Sequence, residues 1–263
     1  MGTILDRIIE QKKQELPFLQ KTRPNLPPFL EDRKSFIRKL EKAEEISVIA
    51  EYKRASPSKG VINQSLNPAE QAKQYERAGA SAISVLTDQT FFKGSFSDLK
   101  TVREAVDLPI LCKDFMIDPV QIDHATANGA DIILLIVAAL DENKLFHLHQ
   151  YATELGLEVL VEVHNSEELQ SALKLGAKLI GVNNRDLKTF NVSLEVTENL
   201  AALVKESGAF LISESGIHSA EDVERVSKAG ANGILVGEAL MISSDVNQSL
   251  VNFRLPLAGG VQS

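Results

Sequence analysis

The chain has 263 residues and a mass of 28.8 kDa, with 44% hydrophobic and 24% charged residues, proportions of a globular chain and not of a disordered or fibrous one. Acidic residues outnumber basic ones 36 to 28, and a formal charge of -8 argues against a nucleic-acid partner, whose affinity would come from clustered Lys and Arg. Cys112 is the single cysteine, which excludes an intrachain disulfide and a thiolate zinc cage and fits a reducing, cytoplasmic setting. The longest apolar run, 132–140, is about half of what a bilayer span needs, so no membrane partner is expected. Asp6, Arg7 and Glu10 sit where a signal peptide would be apolar.

At the start of the chain, Ile4, Leu5, Ile8 and Ile9 form a helical stripe behind a Thr3 cap. Pro17, Pro24, Pro27 and Pro28 are expected to break the chain, after which Ser35 caps a short second helix carrying Phe36, Ile37 and Leu40. Two apolar stripes need a surface, so residues 1–46 read as a helical extension packed on the rest of the chain, its second helix helping to close the mouth. From residue 47 onward, strand-length apolar runs recur at 47–53, 82–87, 109–113, 131–137, 157–163, 178–182, 209–213 and 232–236. They are too rich in Val, Ile and Leu for one-sided exposure, as strands of a parallel sheet buried on both faces are. Gly79, Gly129, Gly156, Gly176, Gly208 and Gly230 each close a helical stretch just before a run, where a positive φ is needed. Helix starts are marked by Asn67, Asp118, Asp141, Ser166 and Ser219. Eight βα units predict an α/β fold, a single (β/α)8 TIM barrel over 47–263 with an N-terminal helical extension. An open doubly wound sheet is the runner-up, but no Gly-rich dinucleotide loop follows the first run.

In such a barrel the chemistry collects at the carboxyl ends of strands. Polar residues gather there: Glu51 and Lys53 at the end of run 1, Lys113 at the end of run 3, Glu162 and His164 at the end of run 5, Asn183 and Arg185 just after run 6, Glu214 just after run 7. Strand periodicity turns Glu51 and Lys53 to one face, and two Lys and two Glu converging on one mouth either neutralise each other or perform acid/base work. Gly216 in the stretch 213–217 after run 7 and Gly237 in the stretch 235–239 after run 8 place backbone N-H groups where an anion could approach, as in the common phosphate site of barrels, or serve tight turns only. The basic, hydroxyl-rich loop 54–60, with Ser56, Pro57 and Ser58, suits a cover over an anionic substrate. Cys112 should point away from Lys113, toward the helices. His147 and His149 face different directions on their helical stretch, and no metal site is expected.

Taken together, Glu51-Tyr52-Lys53-Arg54-Ala55-Ser56-Pro57-Ser58, Leu111-Cys112-Lys113-Asp114-Phe115, Leu160-Val161-Glu162-Val163-His164, Val182-Asn183-Asn184-Arg185-Asp186-Leu187 and Ser213-Glu214-Ser215-Gly216-Ile217 resemble indole-3-glycerol phosphate synthase over nearly the whole chain. The resemblance implies ring closure of 1-(2-carboxyphenylamino)-1-deoxyribulose 5-phosphate with loss of carbon dioxide and water, in tryptophan biosynthesis, with no metal or organic cofactor. It implies catalytic roles for Glu51, Lys53, Lys113, Glu162 and Asn183. Substrate contacts would come from Ser56, Pro57, Ser58, Arg185 and Glu214, with an apolar slot for the anthranilate ring from Phe92, Phe115 and Leu134. Ser215, Gly216, Gly237 and Glu238 would hold the phosphate, Glu238 through its backbone N-H only, since its carboxylate would repel the anion. A monofunctional, monomeric chain is expected, able to associate with other enzymes of the pathway. Another phosphosugar barrel enzyme, such as an aldose-ketose isomerase, and a non-catalytic phosphometabolite-binding barrel are the competing readings. The charged residues at the mouth weigh against both.

Overall fold

The computed structural model describes residues 2–26, 33–57, 60–61 and 67–257. Eight parallel strands, β1 (Ser47–Tyr52), β2 (Ala82–Leu86), β3 (Ile110–Lys113), β4 (Ile132–Ile136), β5 (Glu158–Val163), β6 (Leu179–Asn183), β7 (Phe210–Glu214) and β8 (Gly233–Val236), close into a barrel in which β1 pairs with both β2 and β8. Each strand lies within one residue of its predicted run at either end. The six helix-closing glycines all have positive φ, from 74° to 116°. Asn67, Asp118, Asp141 and Ser219 are N-caps as expected, but Asn165 takes the place of Ser166: its carboxamide accepts from the Glu168 N-H, and Ser166 becomes the first helical residue.

Strand alternation divides the core in two. Val48, Ala50, Tyr52, Ile83, Val85 and Cys112 pack outward against the helices, while Ile49, Leu111, Ile132, Leu160, Leu179, Ile212 and Leu235 fill the barrel interior. Cys112 therefore points away from Lys113, and burial pushes its thiol far above the ordinary range. Glu51, Lys113, Glu162 and Glu214 each stand two positions beyond an interior apolar residue of their own strand. The interior is thus apolar below and charged at its carboxyl end.

The two helices of the extension serve opposite ends of the barrel. α1 (Ile4–Lys21) starts in a capping box on Thr3 and buries Leu5, Ile8 and Lys12. Pro17 does not break it: the proline is exposed, so the Lys13 carbonyl that loses its partner can be hydrated. Pro27 and Pro28 lie outside the described residues. α2 (Phe36–Leu40) was expected at the mouth, but it closes the amino end of the barrel instead. Phe36 and Leu40 join the interior cluster, and the Phe36 and Ile37 N-H groups donate to the carboxylate of Glu158, the first residue of β5. A barrel open at that end would expose Ile132 and Leu179 to water, and two apolar side chains one helical turn apart fill the opening.

Candidate active site

The carboxyl ends of the strands surround a cavity of about 1180 Å³, its open mouth included. Lys113, on the last position of β3, reaches Glu214 Oε2 at 2.8 Å and Glu51 Oε2 at 3.4 Å, and Lys53 donates to Glu51 Oε1 at 2.6 Å. The chain Lys53, Glu51, Lys113, Glu214 alternates in sign, so each buried charge has a partner and escapes the cost of isolation. Burial opposes ionisation of Glu51, but Lys53 and Lys113 outweigh it and hold its carboxyl down at about 2. Burial likewise works against the Lys113 charge, and Glu214 and Glu51 reverse it, pushing its pKa above the ordinary lysine value. Glu214 is pushed up to about 7, because burial and the neighbouring Glu162 and Glu51 outweigh the attraction of Lys113.

Two glycines make this packing possible. A Cβ on Gly237 would lie 2.5 Å from Glu51 Oε1, and one on Gly181 would lie 2.1 Å from Glu214 Oε1. Gly237, assigned to the phosphate by its place after β8, also clears the space that Glu51 occupies.

Across the mouth, Glu162 Oε1 accepts from Asn183 Nδ2 at 3.0 Å and lies 3.2 Å from His164 Nε2. Asn183 Oδ1 in turn accepts from Ser215 Oγ at 2.9 Å and from the Arg185 N-H at 3.0 Å, which fixes the amide orientation and links Glu162 to the turn after β7. Burial would raise the Glu162 pKa, but His164 and Lys113 lower it, so the group stands as a carboxylate. In the turn after β7, Ser215 (φ 63°) and Gly216 (φ 83°) both take left-handed backbone conformations. For serine this costs about 1–2 kcal/mol, and the Ser215 hydrogen bond to Asn183 helps to hold it.

Glu51, Lys53, Ser56, Pro57, Phe92, Lys113, Phe115, Leu134, Glu162, Asn183, Arg185, Ser215, Gly216, Gly237 and Glu238 all line the cavity. One described residue of the predicted set does not. Glu214 is 1% exposed and lies beneath Lys113, because the missing side chain at Gly181 lets its carboxylate turn inward; it touches the ammonium and not the cavity. Ser58 lies outside the described residues. The described part of the covering loop pairs Ala55–Ser56 with Gly60–Val61, and Arg54 binds Asp98 through its two terminal guanidinium nitrogens at 2.6 and 2.7 Å. Phe92 and Phe115 stand with ring centroids 5.9 Å apart.

Sequence reasoning missed several groups at the mouth. Ile4, Leu5 and Ile8 of α1, with Leu187, Phe190 and Ile217, add apolar lining. The α1 stripe was visible, but no local signal says what it covers. His164, counted among the polar strand-end residues, does not line the cavity but sits between two carboxylates, 3.2 Å from Glu162 and 3.0 Å from Glu168. Among the described residues, no three His, Cys, Asp or Glu side chains converge to hold a metal ion, and no helix is long and apolar enough to cross a membrane.

A profile of the indole-3-glycerol phosphate synthase family matches residues 5–253. The chain is 56% identical over 248 residues to the indole-3-glycerol phosphate synthase of Bacillus thuringiensis subsp. konkukian, covering 94% of this chain and 96% of that protein. It is 55% identical over 246 residues to the protein of that name from Bacillus cereus, with the same coverage. Among solved structures, a thiamine phosphate pyrophosphorylase from Pyrococcus furiosus superposes with a TM-score of 0.59 at 21% identity, covering 79% of this chain and 93% of that one, a likeness of fold alone. With the profile spanning nearly the whole chain and relatives more than half identical over almost their full length, this chain belongs to the indole-3-glycerol phosphate synthase family.

Proposed function

We propose that the chain closes the indole ring of 1-(2-carboxyphenylamino)-1-deoxyribulose 5-phosphate, releasing carbon dioxide and water, to give indole-3-glycerol phosphate in tryptophan biosynthesis. The observation that carries the reading is an ammonium, Lys113, held between Glu51 and Glu214 in a cavity also lined by Phe92, Phe115 and the turns at Ser215, Gly216 and Gly237. Ring closure joins an aromatic carbon to the ketone carbon, so charge develops on the ketone oxygen, and Lys113 stabilises it and delivers the proton. Loss of the ring carboxylate as carbon dioxide leaves an alcohol whose hydroxyl departs with a proton from an acid, while a base removes the proton that restores aromaticity.

Glu51, held down at about 2, has no proton to give at neutral pH. On this reading an ammonium serves as the acid for water loss, and Lys53, beside Glu51 on the cavity wall, meets either the departing hydroxyl or the substrate carboxylate. Glu162, ionised and oriented by Asn183, is the base. Phe92, Phe115 and Leu134 hold the anthranilate ring, Ser56, Pro57 and Arg185 meet the polar middle of the substrate, and Ser215, Gly216, Gly237 and the Glu238 N-H receive the phosphate. Glu214 serves the site through Lys113. We place the enzyme in the cytoplasm, as a monomer able to associate with other enzymes of the pathway, over an extension of residues 1–46 and a catalytic barrel of 47–263. Sedimentation velocity checks the monomer.

Mixing the chain with the anilino-deoxyribulose phosphate and following indole fluorescence tests the reaction, against a background kept low by the absence of Trp. Substrate bound without an indole signal would favour a binding barrel, and an isomerised sugar product would favour an isomerase.

A further inference from the structure

Lys12 is a buried charge that the proposed chemistry does not use. It stands on α1 in the stripe of Leu5 and Ile8, with its side chain 3% exposed. Its ammonium lies 2.8 Å from Asp114 Oδ1, 3.0 Å from Asp88 Oδ2 and 3.1 Å from Glu15 Oε2. Burial alone would strip the proton from such a lysine, but Asp114 and Asp88 push its pKa above the ordinary value. Asp88 and Asp114 are themselves 0% and 2% exposed. Removing the ammonium would leave two carboxylates buried side by side with no cation between them.

Each of these aspartates also holds a turn that carries a ring of the cavity. Asp88 Oδ1 accepts from the N-H groups of Phe91 at 2.6 Å and Phe92 at 3.1 Å. Asp114 Oδ1 accepts from the Phe115 N-H at 2.8 Å, and its Oδ2 accepts from Thr87 Oγ1 at 2.6 Å. The turns after β2 and β3 are thus fixed by two carboxylates that meet at one lysine, and that lysine arrives on the helix whose Leu5 and Ile8 line the same cavity. Asp114 follows Lys113 directly, but the Lys113 ammonium is held separately, by Glu214 and Glu51.

We propose that Lys12 is a positioning residue for the aromatic half of the substrate: by drawing Asp88 and Asp114 together beneath α1, it sets the spacing of Phe92 and Phe115 and couples the ring slot to docking of the helix. The inference rests on the ring-closure reading of this site. Lys12 touches neither the phosphate turns nor the Lys53, Glu51, Lys113 network. Its loss should therefore weaken recognition of the ring and leave the phosphate end unchanged.

Lys12→Met keeps the length and apolar stem of the side chain and removes its charge. In the full chain it should raise KM for the anilino-deoxyribulose phosphate at least about tenfold, the scale on which a disturbed apolar pocket discriminates, with kcat within about threefold. Competitive inhibition by inorganic phosphate should be unchanged. Unchanged KM in the folded variant, or equal weakening of inorganic phosphate, would overturn the proposal. Asp88→Asn leaves Lys12 paired with Asp114 and keeps an acceptor for Phe91 and Phe92, so it preserves the fold even if Lys12→Met does not. It should raise KM about threefold, the worth of one modest polar contact, and a wild-type KM there overturns the proposal by itself. Turnover by the unaltered chain stands apart: a chain that yields no indole product fails the reading of the site, whereas normal KM values in these variants fail only the role of Lys12.

Discussion

Lys113 shares its ammonium between Glu214 and Glu51, and the contacts that keep it charged also aim it into the cavity. Lys113→Ala should lower kcat at least about 100-fold, the lower range for a general acid, with a circular dichroism spectrum still that of a folded α/β protein; near-normal turnover would remove Lys113 from the chemistry. Gly237 has an ordinary negative φ as the cap of a short helix, so its lack of a side chain serves space and not backbone freedom. Gly237→Ala should drive a methyl group against a carboxylate clamped by two lysines, lowering kcat/KM by about tenfold or more through displacement of Glu51, which steady-state kinetics will read. His164 has a different reach. Burial disfavours its charge, but Glu162 and Glu168 outweigh that and raise its pKa from 6.5 to about 10. The folded protein keeps a proton that the unfolded chain releases above 6.5, so this stabilisation is complete below 6.5 and is lost as the pH rises from there toward about 10. Urea unfolding at about pH 6 and about pH 9 should show wild type losing stability relative to His164→Gln across that interval. Parallel pH dependence of the two proteins would mean the imidazole is not charged in the fold.

The two helices of the extension separate binding from folding. α1 brings Ile4, Leu5 and Ile8 to the mouth and Lys12 to Asp88 and Asp114, while α2 places Phe36 and Leu40 in the barrel interior. Deleting residues 1–22 should therefore raise KM and leave the circular dichroism spectrum of the barrel in place. Deleting residues 1–46 should cost far more. Truncating a buried Phe or Leu costs about 2–5 kcal/mol, and losing both from one end of the barrel consumes much of the roughly 5–15 kcal/mol that holds a domain together. Thermal melts of the two deletions measure the contrast, and a stable barrel without α2 would show that Phe36 and Leu40 are dispensable.

At the scale of the whole molecule, Cys112 reports on integrity. It packs in the layer between strands and helices, fully buried, with its thiol pushed far above the ordinary range by that burial. A small disulfide reagent should react with it only when the barrel opens, at a rate that rises with denaturant in step with global unfolding and is slowed by bound substrate. Fast modification of the native protein without loss of structure would mean that the strand-helix layer breathes locally.

Most of the barrel was legible because its signals are local. Residues alternate between interior and helix-facing sides with a period of two, so the place of Ile49 and Glu51, or of Leu111 and Lys113, follows from the run that contains them. A glycine closing a helix declares its positive φ within a few residues, as all six did. The placement of the charges at the strand ends was legible for the same reason, since parity decides which of them enter the mouth. What the chain could not declare is which distant surface an apolar stripe will meet. Leu5 and Ile8, and Phe36 and Leu40, make equally good amphipathic helices, yet one pair lines the cavity and the other closes the opposite end. Nothing along the chain sets Lys12 apart from any other helical lysine until Asp88 and Asp114 come beside it, and Glu214 belongs to the wall of the cavity until the space above Gly181 turns it under Lys113. Such pairings join residues from separate turns of the barrel. They exist only once the strands have closed, because packing and ion pairing depend on distances through space that no spacing along the chain encodes.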